Sequence, residues 1–393
     1  MQDQLILTYD FITEQYDRGL VVDMILFDFK KAFDLVPHSV LLDKLQLLGF
    51  RRPLLSWIGD FLIGRMMRVV VSGTSSSPRL VQSGVPQGSV LGPILFNLFI
   101  NHIVHGLQSR FYLFADDLKL FHSSSRDPTD YQSNILSLQE DISLLSARAS
   151  SWGLSFAAHK CSHLRFVRSF TDNPPVIPLF IGGSPIQLCS SARDLGLEID
   201  TGLRFHTHVS LVASKAFGVS NNLLRGTVCR SLDSMKTIFV SHVRSILNFC
   251  SPVWNSGFVG DMKLLESVQR RWTKQIDGLT NMSYYDRLQS LSLYSIWGRL
   301  LRADLILVWK ILCSDSTFLT GLLQLSNNSR TRGHPHKLLT IRSNTEIRKR
   351  FFSARVVSIW NNLPADVVTS PSLEIFKARL PPVLGDLLYF YYD

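Results

Sequence analysis

The sequence predicts an α+β domain over about residues 1–200, followed by a region that is mainly helical. The first observation is a β-branched and apolar run, VVDMILFD (21–28), which is typical of a buried strand that ends on a carboxylate. The second is FYLFADDLKLF (111–121), in which two short apolar runs flank a pair of aspartates. This pattern indicates a β-hairpin with the aspartates at or beside its turn. The third is an apolar spacing of three and four residues beyond residue 205, which indicates amphipathic helices.

Strands and helices alternate through the first 200 residues. Pro37 is well placed in the first turn of a helix that carries leucines on one face and ends at Gly49. The turn-rich stretch 72–79 joins two short extended runs and predicts a second hairpin. The other predicted elements are a short helix at 53–62, a loop that becomes an apolar helix at 83–100, an amphipathic helix at 134–152 and a strand at 156–167.

The later part of the chain has helical periodicity in four stretches, around 208–225, 232–247, 261–277 and 284–312. Charged residues interrupt the apolar stretch 291–312, which favours a packed helix and argues against a membrane span.

A basic segment comes after the helices. Between Arg330 and Arg355 there are eight Lys or Arg and one acid, Glu346. Such a segment is either a solvated basic face or a nucleic-acid contact. The sequence therefore predicts three parts: an α+β domain at 1–200, a helical domain at 201–325 and a basic extension at 326–393.

Composition favours a globular protein that binds a polyanion. Of 393 residues, 46% are apolar, and 41 Lys and Arg against 31 Asp and Glu give a net charge of +10. This surplus favours nucleic acid or an anionic membrane surface as a partner. The five cysteines lie far apart and lack zinc-ligand spacing, which is typical of free thiols in a reducing compartment. The opening MQDQLILTYD does not resemble a signal peptide. We expect an intracellular protein whose polyanionic partner is nucleic acid rather than a membrane.

Three aspartates are the strongest candidates for chemistry. Asp28 ends the first predicted strand, and Asp116 and Asp117 come 88 residues later in the predicted hairpin. Carboxylates on adjacent strands can hold two divalent metal ions for phosphoryl transfer. The alternative is that these aspartates cap turns or form surface ion pairs. Uncompensated charge between Phe114 and Leu118 would be costly, and a metal pair removes that cost.

Several sequence blocks resemble one family. Three blocks carry the resemblance: LFDFKKAFDLVPHSVLLDKLQLLGF, SGVPQGSVLGPILFNLFIN and FADD. Their order and spacing resemble those of the reverse transcriptase of non-LTR (LINE-like) retrotransposons of the Jockey and CR1 type. The similarity continues through WGLSFAAHKC and DLGLEID, and weakly through NFCSPVW and VVSIWNNLP.

The resemblance implies roles for eight residues. Asp28, Asp116 and Asp117 would be catalytic ligands of two Mg²⁺ ions, for which Mn²⁺ could substitute. Lys160 would be a catalytic general acid near the leaving phosphate, although a lone lysine on a strand has other uses. Nucleotide binding would involve the backbone of Phe29, the ring of Phe33 as a steric gate against a 2′-hydroxyl, and the loop residues Gln87 and Gly88.

Other residues of these blocks are expected to serve the fold. The resemblance makes Asp34 a structural residue that caps the next segment of the chain, and His38 a fold-related residue. For Phe33, ordinary core packing remains the alternative to the steric gate. The family usually has Asn where this chain has Ala157, and often an aromatic residue where it has Asp194.

The fold implied by the resemblance is a right-hand polymerase. Its palm, an antiparallel sheet with flanking helices and a remnant of fingers, would cover 1–200, with a helical thumb at 201–325. The implied function is RNA-directed DNA polymerisation on an RNA template and a DNA primer with dNTPs, in nucleus and cytoplasm. Family members also carry an endonuclease and fuller fingers, so we expect a fragment or an N-terminally truncated copy.

Two alternatives remain open at this point. One is an inactive copy that only binds nucleic acid. The other is a metal-dependent nuclease that uses the same aspartates. The VPQG block disfavours the nuclease, since hydrolysis of nucleic acid needs no loop that positions a nucleotide.

Overall fold

The computed structural model describes residues 1–168, 173–313, 319, 321–326 and 333–392. The chain forms two compact units. The sheet unit is Gly19–Ala192, and the helical unit combines Met1–Arg18 with Arg193–Asp393. Helix α1 (Gln2–Asp17) opens the chain and belongs to the helical unit. The predicted division into parts at 1–200, 201–325 and 326–393 is a functional one, which these packing units do not test. It stays a prediction.

The sheet unit is built on a five-stranded sheet with the strand order β11-β8-β1-β7-β6. Its strands and those of the small neighbouring sheets are β1 (Val21–Phe27), β2 (Met66–Met67), β3 (Val70–Val71), β4 (Thr74–Ser75), β5 (Arg79–Leu80), β6 (Arg110–Phe114), β7 (Asp117–Ser124), β8 (Ser162–Phe166), β9 (Phe180–Ile181), β10 (Ser184–Pro185) and β11 (Gln187–Cys189). The helices are α2 (His38–Leu47), α3 (Leu54–Leu62), α4 (Leu91–Ile100) and α5 (Pro128–Ser151).

Strand β1 lies at the centre of this sheet. It pairs antiparallel with β7 on one side and with β8 on the other, and β6 and β7 form a hairpin. Only β11 runs parallel, to β8. The α+β class, the buried strand before Asp28 and the hairpin around the aspartate pair are therefore confirmed.

Helix α5 covers the sheet with one apolar stripe. Asp127 caps its N-terminus by accepting hydrogen bonds from the backbone N–H groups of Thr129 and Asp130, and Pro128 occupies the first turn. The buried apolar positions recur every three or four residues, at Tyr131, Ile135, Leu138, Ile142, Leu145 and Ala149. The helix starts six residues before the predicted 134, because this cap lies in a polar stretch without helical periodicity.

Two predicted elements of the sheet unit are smaller than the sequence indicated. The second hairpin is present, but it consists of the two-residue strands β2 to β5. The strand predicted at 156–167 is confined to β8, and a 3₁₀ turn, Ala158–Lys160, precedes it. The prediction that Lys160 lies on a strand is therefore wrong, since the backbone turns at this point to pass beside Asp28.

The helical unit contains the remaining strands and α-helices. They are β12 (Ser191–Asp194), which begins in the sheet unit, β13 (Leu197–Asp200), α6 (His206–Gly226), α7 (Leu232–Ile238), α8 (Arg244–Asn248), α9 (Ser251–Trp254), α10 (Val259–Thr273), α11 (Tyr284–Leu291), α12 (Ile296–Cys313), α13 (Glu346–Arg350), α14 (Phe352–Asn361), α15 (Ala365–Val368) and α16 (Leu373–Leu384). The helical character predicted beyond residue 205 is confirmed. The stretch 284–312 is two helices, because Ser292 adopts a left-handed conformation (φ 49°) and ends α11.

Part of the basic segment is used inside the helical unit. Arg348 is 5% exposed, and its guanidinium lies 2.7 Å from the carboxylate of Asp10 on α1. Arg355 forms a bidentate pair with the buried Asp304, at 3.0 and 2.9 Å. Neither reading of the segment, a solvated face or a nucleic-acid contact, applies to these two arginines, because a carboxylate neutralises each of them within the fold. Arg330 and Arg332 lie outside the described residues.

Asp194, the departure from the family pattern, has a structural partner. The hydroxyl of Tyr9 donates to its carboxylate at 2.7 Å, and both side chains are buried. Burial and the neighbouring Asp194 raise the pKa of Tyr9 well above its usual value. An acceptor for this hydroxyl explains why a carboxylate is tolerated there.

Two findings bear on the expected reducing compartment and on the expected absence of a membrane span. The five cysteines are free. Within the described part of the chain, every helix is too short or too polar to cross a bilayer.

A buried carboxyl group in the helical unit is expected to make stability depend on pH. Glu266 is 3% exposed and accepts hydrogen bonds from the hydroxyl of Tyr284 and from the backbone N–H of Ile296. Burial raises its pKa from 4.5 to about 7, although both hydrogen bonds oppose this shift. The folded state therefore binds this proton more tightly than the unfolded state does.

We predict that the free energy of unfolding falls as pH rises from about 4.5 to about 7, by up to roughly 3 kcal/mol from this group. Its contribution is fully present below pH 4.5 and is lost as pH rises through the folded pKa. Glu266→Gln should flatten this slope in urea unfolding measured across that range. Glu374→Gln, at an exposed glutamate of α16, should leave the slope unchanged. Equal slopes in the parent protein and Glu266→Gln would contradict the prediction.

Candidate catalytic site at the edge of the sheet

Asp28 comes directly after β1, and residues of the segment before β8 hold its backbone. Its carbonyl accepts the N–H of Ala157 at 2.7 Å, and its own N–H points to the Sγ of Cys161 at 3.5 Å. Burial raises the pKa of the Cys161 thiol, so this sulfur stays protonated and neutral. At Ala157, where the family usually has Asn, the backbone N–H makes the contact, and the side chain is not needed for it.

Lys160, for which the resemblance implies a role near the leaving phosphate, lies beside Asp28. Its Nζ is 3.5 Å from Oδ2 of Asp28. The lysine side chain is 61% exposed, so water screens the pair and the ion pair is weak. The ammonium group is thus close to the candidate site and free to move.

Asp116 and Asp117 lie at the turn between β6 and β7. Phe114 pairs with Asp117, which leaves Ala115 and Asp116 as a two-residue turn. Ala115 has a positive φ of 53°, as tight hairpin turns require. The prediction that the aspartate pair lies at or beside a hairpin turn is confirmed.

The register of β1 with β7 brings the aspartates together. The last matched pair is Phe27 with Leu118. Continued by one residue, this register sets Asp28 opposite Asp117, with both side chains on one face of the sheet. Asp116 lies one residue further, in the turn. Three carboxylates therefore share one edge of the sheet although Asp28 is far from the others in sequence.

The donor atoms at this edge fit a divalent cation, since Mg²⁺ binds carboxylate oxygens. The side chains do not form a closed ligand set: in the residues described, no three His, Cys, Asp or Glu side chains form a group that could hold a metal ion. The carboxylate of Asp28 is turned toward Lys160 instead. The strand register thus brings three carboxylate residues to one edge, while their side chains do not converge on a single point.

Phe29 and Phe33 are anchored by aromatic contacts. Phe29 is 4% exposed, and its ring centroid lies 4.4 Å from that of Phe156. Phe33 stacks on Phe96 of α4 with 4.2 Å between centroids, and it is half-buried. Core packing thus accounts for one face of Phe33, while the accessible part of the ring remains available to a ligand.

Gln87 binds Asp34, the residue that was expected to cap the next segment of the chain. Its side-chain N–H donates to the carboxylate of Asp34 at 2.8 Å. The prediction that Asp34 caps the next segment is wrong, because α2 begins after Pro37 without a side-chain cap. The carboxylate of Asp34 links its turn to the VPQG loop, a contact across 53 residues that no local pattern indicates.

Gly84 is the residue that sequence analysis missed. Its N–H donates to the carbonyl of Val36, and its carbonyl accepts from Nε2 of His38 at 2.9 Å. A Cβ at Gly84 would stand 2.7 Å from the carbonyl oxygen of Asp34. Only glycine therefore allows the two loops to approach this closely. His38 is buried and serves this contact, which confirms its fold-related role.

Comparison with known proteins identifies the domain. Residues 15–198 match the family described as "Reverse transcriptase (RNA-dependent DNA polymerase)". Residues 15–198 form a reverse transcriptase domain. The candidate aspartates, Lys160 and the loop of Gln87 all lie inside this range, so the resemblance found in the sequence is confirmed.

Relatives of this reverse transcriptase domain belong to retrotransposons. The chain is 26% identical over 287 residues to a probable RNA-directed DNA polymerase from transposon BS of Drosophila melanogaster, covering 70% of this chain and 31% of that protein. It is 29% identical over 289 residues to the RNA-directed DNA polymerase from mobile element jockey of Drosophila funebris, covering 70% of this chain and 30% of that protein. The chain therefore spans about a third of the length of these relatives.

Among solved structures, a telomerase from Candida albicans in complex with a fragment of telomeric RNA is similar, with a TM-score of 0.37 and 15% identity over 75% of this chain and 54% of that chain. Reverse transcriptases depend on divalent metal ions, and the carboxylate oxygens at the sheet edge of this domain are of the type that such ions bind.

The contact at Gly84 gives a prediction about this reverse transcriptase domain. Gly84→Ala should lower the free energy of unfolding by at least about 3 kcal/mol, because a Cβ would force the backbone of Asp34 to move. Gly88→Ala is the matched control. Gly88 also has a positive φ, of 83°, but nothing lies within 4 Å of its Cβ position. Its substitution should cost only about 1–2 kcal/mol of backbone strain. Urea unfolding of both variants tests this, and equal losses would show that the close approach is unimportant.

Proposed function

We propose that this chain is an RNA-directed DNA polymerase that adds dNTPs to the 3′ end of a DNA primer on an RNA template. The single observation that supports this most strongly is the β1–β7 register, which sets Asp28 opposite Asp117 inside the reverse transcriptase domain. The relatives that are named RNA-directed DNA polymerases support the same reaction.

In this proposal Asp28, Asp116 and Asp117 hold two Mg²⁺ ions, for which Mn²⁺ can substitute. When bound, such ions lower the pKa of the primer 3′-hydroxyl and neutralise the charge of the triphosphate. The three carboxylates come from two adjacent strand ends, which is the placement that a pair of ions needs. Phe29 is the next residue after Asp28 and offers its backbone to the second ion.

Lys160 is assigned to the leaving group. Its ammonium lies 3.5 Å from Asp28 on an exposed, weakly held side chain. A lysine in this place can leave Asp28 and meet the negative charge that develops on the departing phosphate, and it can donate a proton there. The 3₁₀ turn that carries it keeps its backbone next to that of Asp28.

Gln87 and Gly88 are assigned to positioning the nucleotide. Gln87 is exposed and anchored to Asp34, so its loop has a fixed place beside the turn after Asp28. Gly88 carries no side chain and leaves open space above its backbone, which lets a ligand approach closely.

The remaining assignments rest on the family. We assign a palm with a remnant of fingers to 1–200, a thumb to 201–325 and a basic extension to 326–393. We place the protein inside the cell, in nucleus and cytoplasm, which its free cysteines support.

Primer extension on an RNA template with Mg²⁺ tests the proposal. Asp116→Asn and Asp117→Asn should each lower the extension rate at least about a hundredfold, because each removes charge that binds a metal ion. Asp43→Asn, at an exposed aspartate of α2, is the matched control and should retain the parent rate. Extension that survives both site substitutions would refute the assigned site. Binding of primer and template without extension would favour the inactive copy, and cleavage without extension the nuclease.

Phe33 gives a second test through sugar selection. Phe33→Val removes the accessible part of the ring, so discrimination against ribonucleotides should fall by about 10-fold to 200-fold. The measurement is the ratio of kcat/KM for dCTP to that for CTP. Phe29→Val serves as a comparison, since Phe29 is buried and its loss should alter stability more than the ratio. An unchanged ratio in Phe33→Val would leave Phe33 as a packing residue only.

A further inference from the structure

A groove runs beside the hairpin turn that carries the candidate aspartates. It has a volume of about 410 Å³ and lies between α4 and the end of β6. Ile94, Asn97 and the C-cap residue Asn101 line it from the side of the helix, and Phe114 and the turn residue Ala115 line it from the side of the hairpin. Ala115 directly precedes Asp116, so their Cα atoms are about 3.8 Å apart. Whatever occupies this groove is next to the proposed site of nucleotide addition.

The helix presents a single exposed face to the groove. Ile94 and Asn97 of α4 and Asn101, the C-cap residue with helical backbone angles, are spaced by three and four residues, which places them on one side of the helix. All three are exposed, whereas their neighbours Leu95, Phe96 and Phe99 are buried in the core. In the described ranges, neither side-chain amide of Asn97 and Asn101 has a hydrogen-bond partner. Two amides are thus available to a ligand.

The charge of the groove limits its occupant. All of its lining residues are uncharged, and two carboxylates come directly after it at the turn. A phosphate would meet like charge there without a balancing cation from the groove itself. The groove therefore suits the neutral side of a nucleotide, its sugar and base edge, with the phosphates directed away.

The polarity of the groove selects a hydroxyl-bearing ligand. An asparagine amide both donates and accepts hydrogen bonds, which matches a hydroxyl group. Ile94 and Phe114 are 51% and 38% exposed, and they offer apolar surface on which a ribose or base can pack. In a hybrid of RNA and DNA only the RNA strand carries 2′-hydroxyls, and this group is what distinguishes the two strands chemically.

We infer that Asn97 and Asn101 bind the 2′-hydroxyls of the RNA template next to the growing end, and so favour RNA over DNA as a template. The inference rests on the proposed polymerase function. It assigns to Asn97 and Asn101 a role in choosing the template, which the nucleotide addition itself does not require. Asn97 and Asn101 are recognition residues, which do not take part in the bond that forms.

The test uses one DNA primer annealed to an RNA template or to a DNA template of the same sequence. Binding is measured by fluorescence anisotropy without dNTPs, and extension is measured separately with dNTPs and Mg²⁺. The parent protein should prefer the RNA template in both. In the double variant Asn97→Ala with Asn101→Ala, this preference should fall by about threefold to tenfold, as expected for one or two lost hydrogen bonds. Both positions are exposed, so circular dichroism should show an unchanged fold.

Two controls make the result specific. Gln132→Ala removes an exposed amide from α5, outside the groove, and should leave the preference unchanged. RNA templates with single 2′-deoxy substitutions near the primer end should weaken binding to the parent protein but not to the double variant, as in a double-mutant cycle.

The outcomes separate the inference from the proposed function. Extension by the parent protein, with the same RNA preference in the double variant, would overturn the inference and leave the polymerase proposal standing. Equal sensitivity of both proteins to the 2′-deoxy substitutions would also overturn it. Failure of the parent protein to extend any primer would refute the polymerase proposal, while the binding ratios would still decide whether the groove recognises RNA.

Discussion

The pairing of β1 with β7 is the constraint on which the candidate site depends. It joins two segments that lie far apart in sequence, and its register decides which side chains share a face. A shift by one residue would turn Asp117 to the opposite face from Asp28 and would also move Leu118 and Leu120 out of the core cluster in which they pack. Burial of the apolar side chains therefore holds the carboxylates at one edge of the sheet.

A second constraint fixes the loops around that edge. The turn after Asp28 and the VPQG loop are joined through the backbone of Gly84, through His38 and through the Gln87–Asp34 hydrogen bond. Helix α4 begins four residues after Gln87, and its exposed face lines the groove beside the aspartate turn. The residues that bind a nucleotide in our proposal are therefore close in sequence to those that bind the template in our inference.

Charge has a different use in each part of the molecule. In the helical unit Arg348 and Arg355 neutralise Asp10 and Asp304, so part of the basic segment stabilises packing. Beside the candidate site Lys160 is exposed and only weakly paired with Asp28. Net charge alone does not distinguish these cations. Composition counts every Lys and Arg equally and does not show which of them are paired with a carboxylate in the fold.

The sequence by itself determined the α+β class, the buried strand before Asp28, the aspartate hairpin and the family, because apolar periodicity and motif spacing are local properties of the chain. It also indicated the aspartates and the Phe33 and VPQG blocks. Only the tertiary structure decided that Asp28 lies opposite Asp117, that Gln87 binds Asp34, that Gly84 allows two loops to meet and that Lys160 lies on a turn. These features depend on strand register and on contacts between distant segments, which are set by the packing of the whole domain.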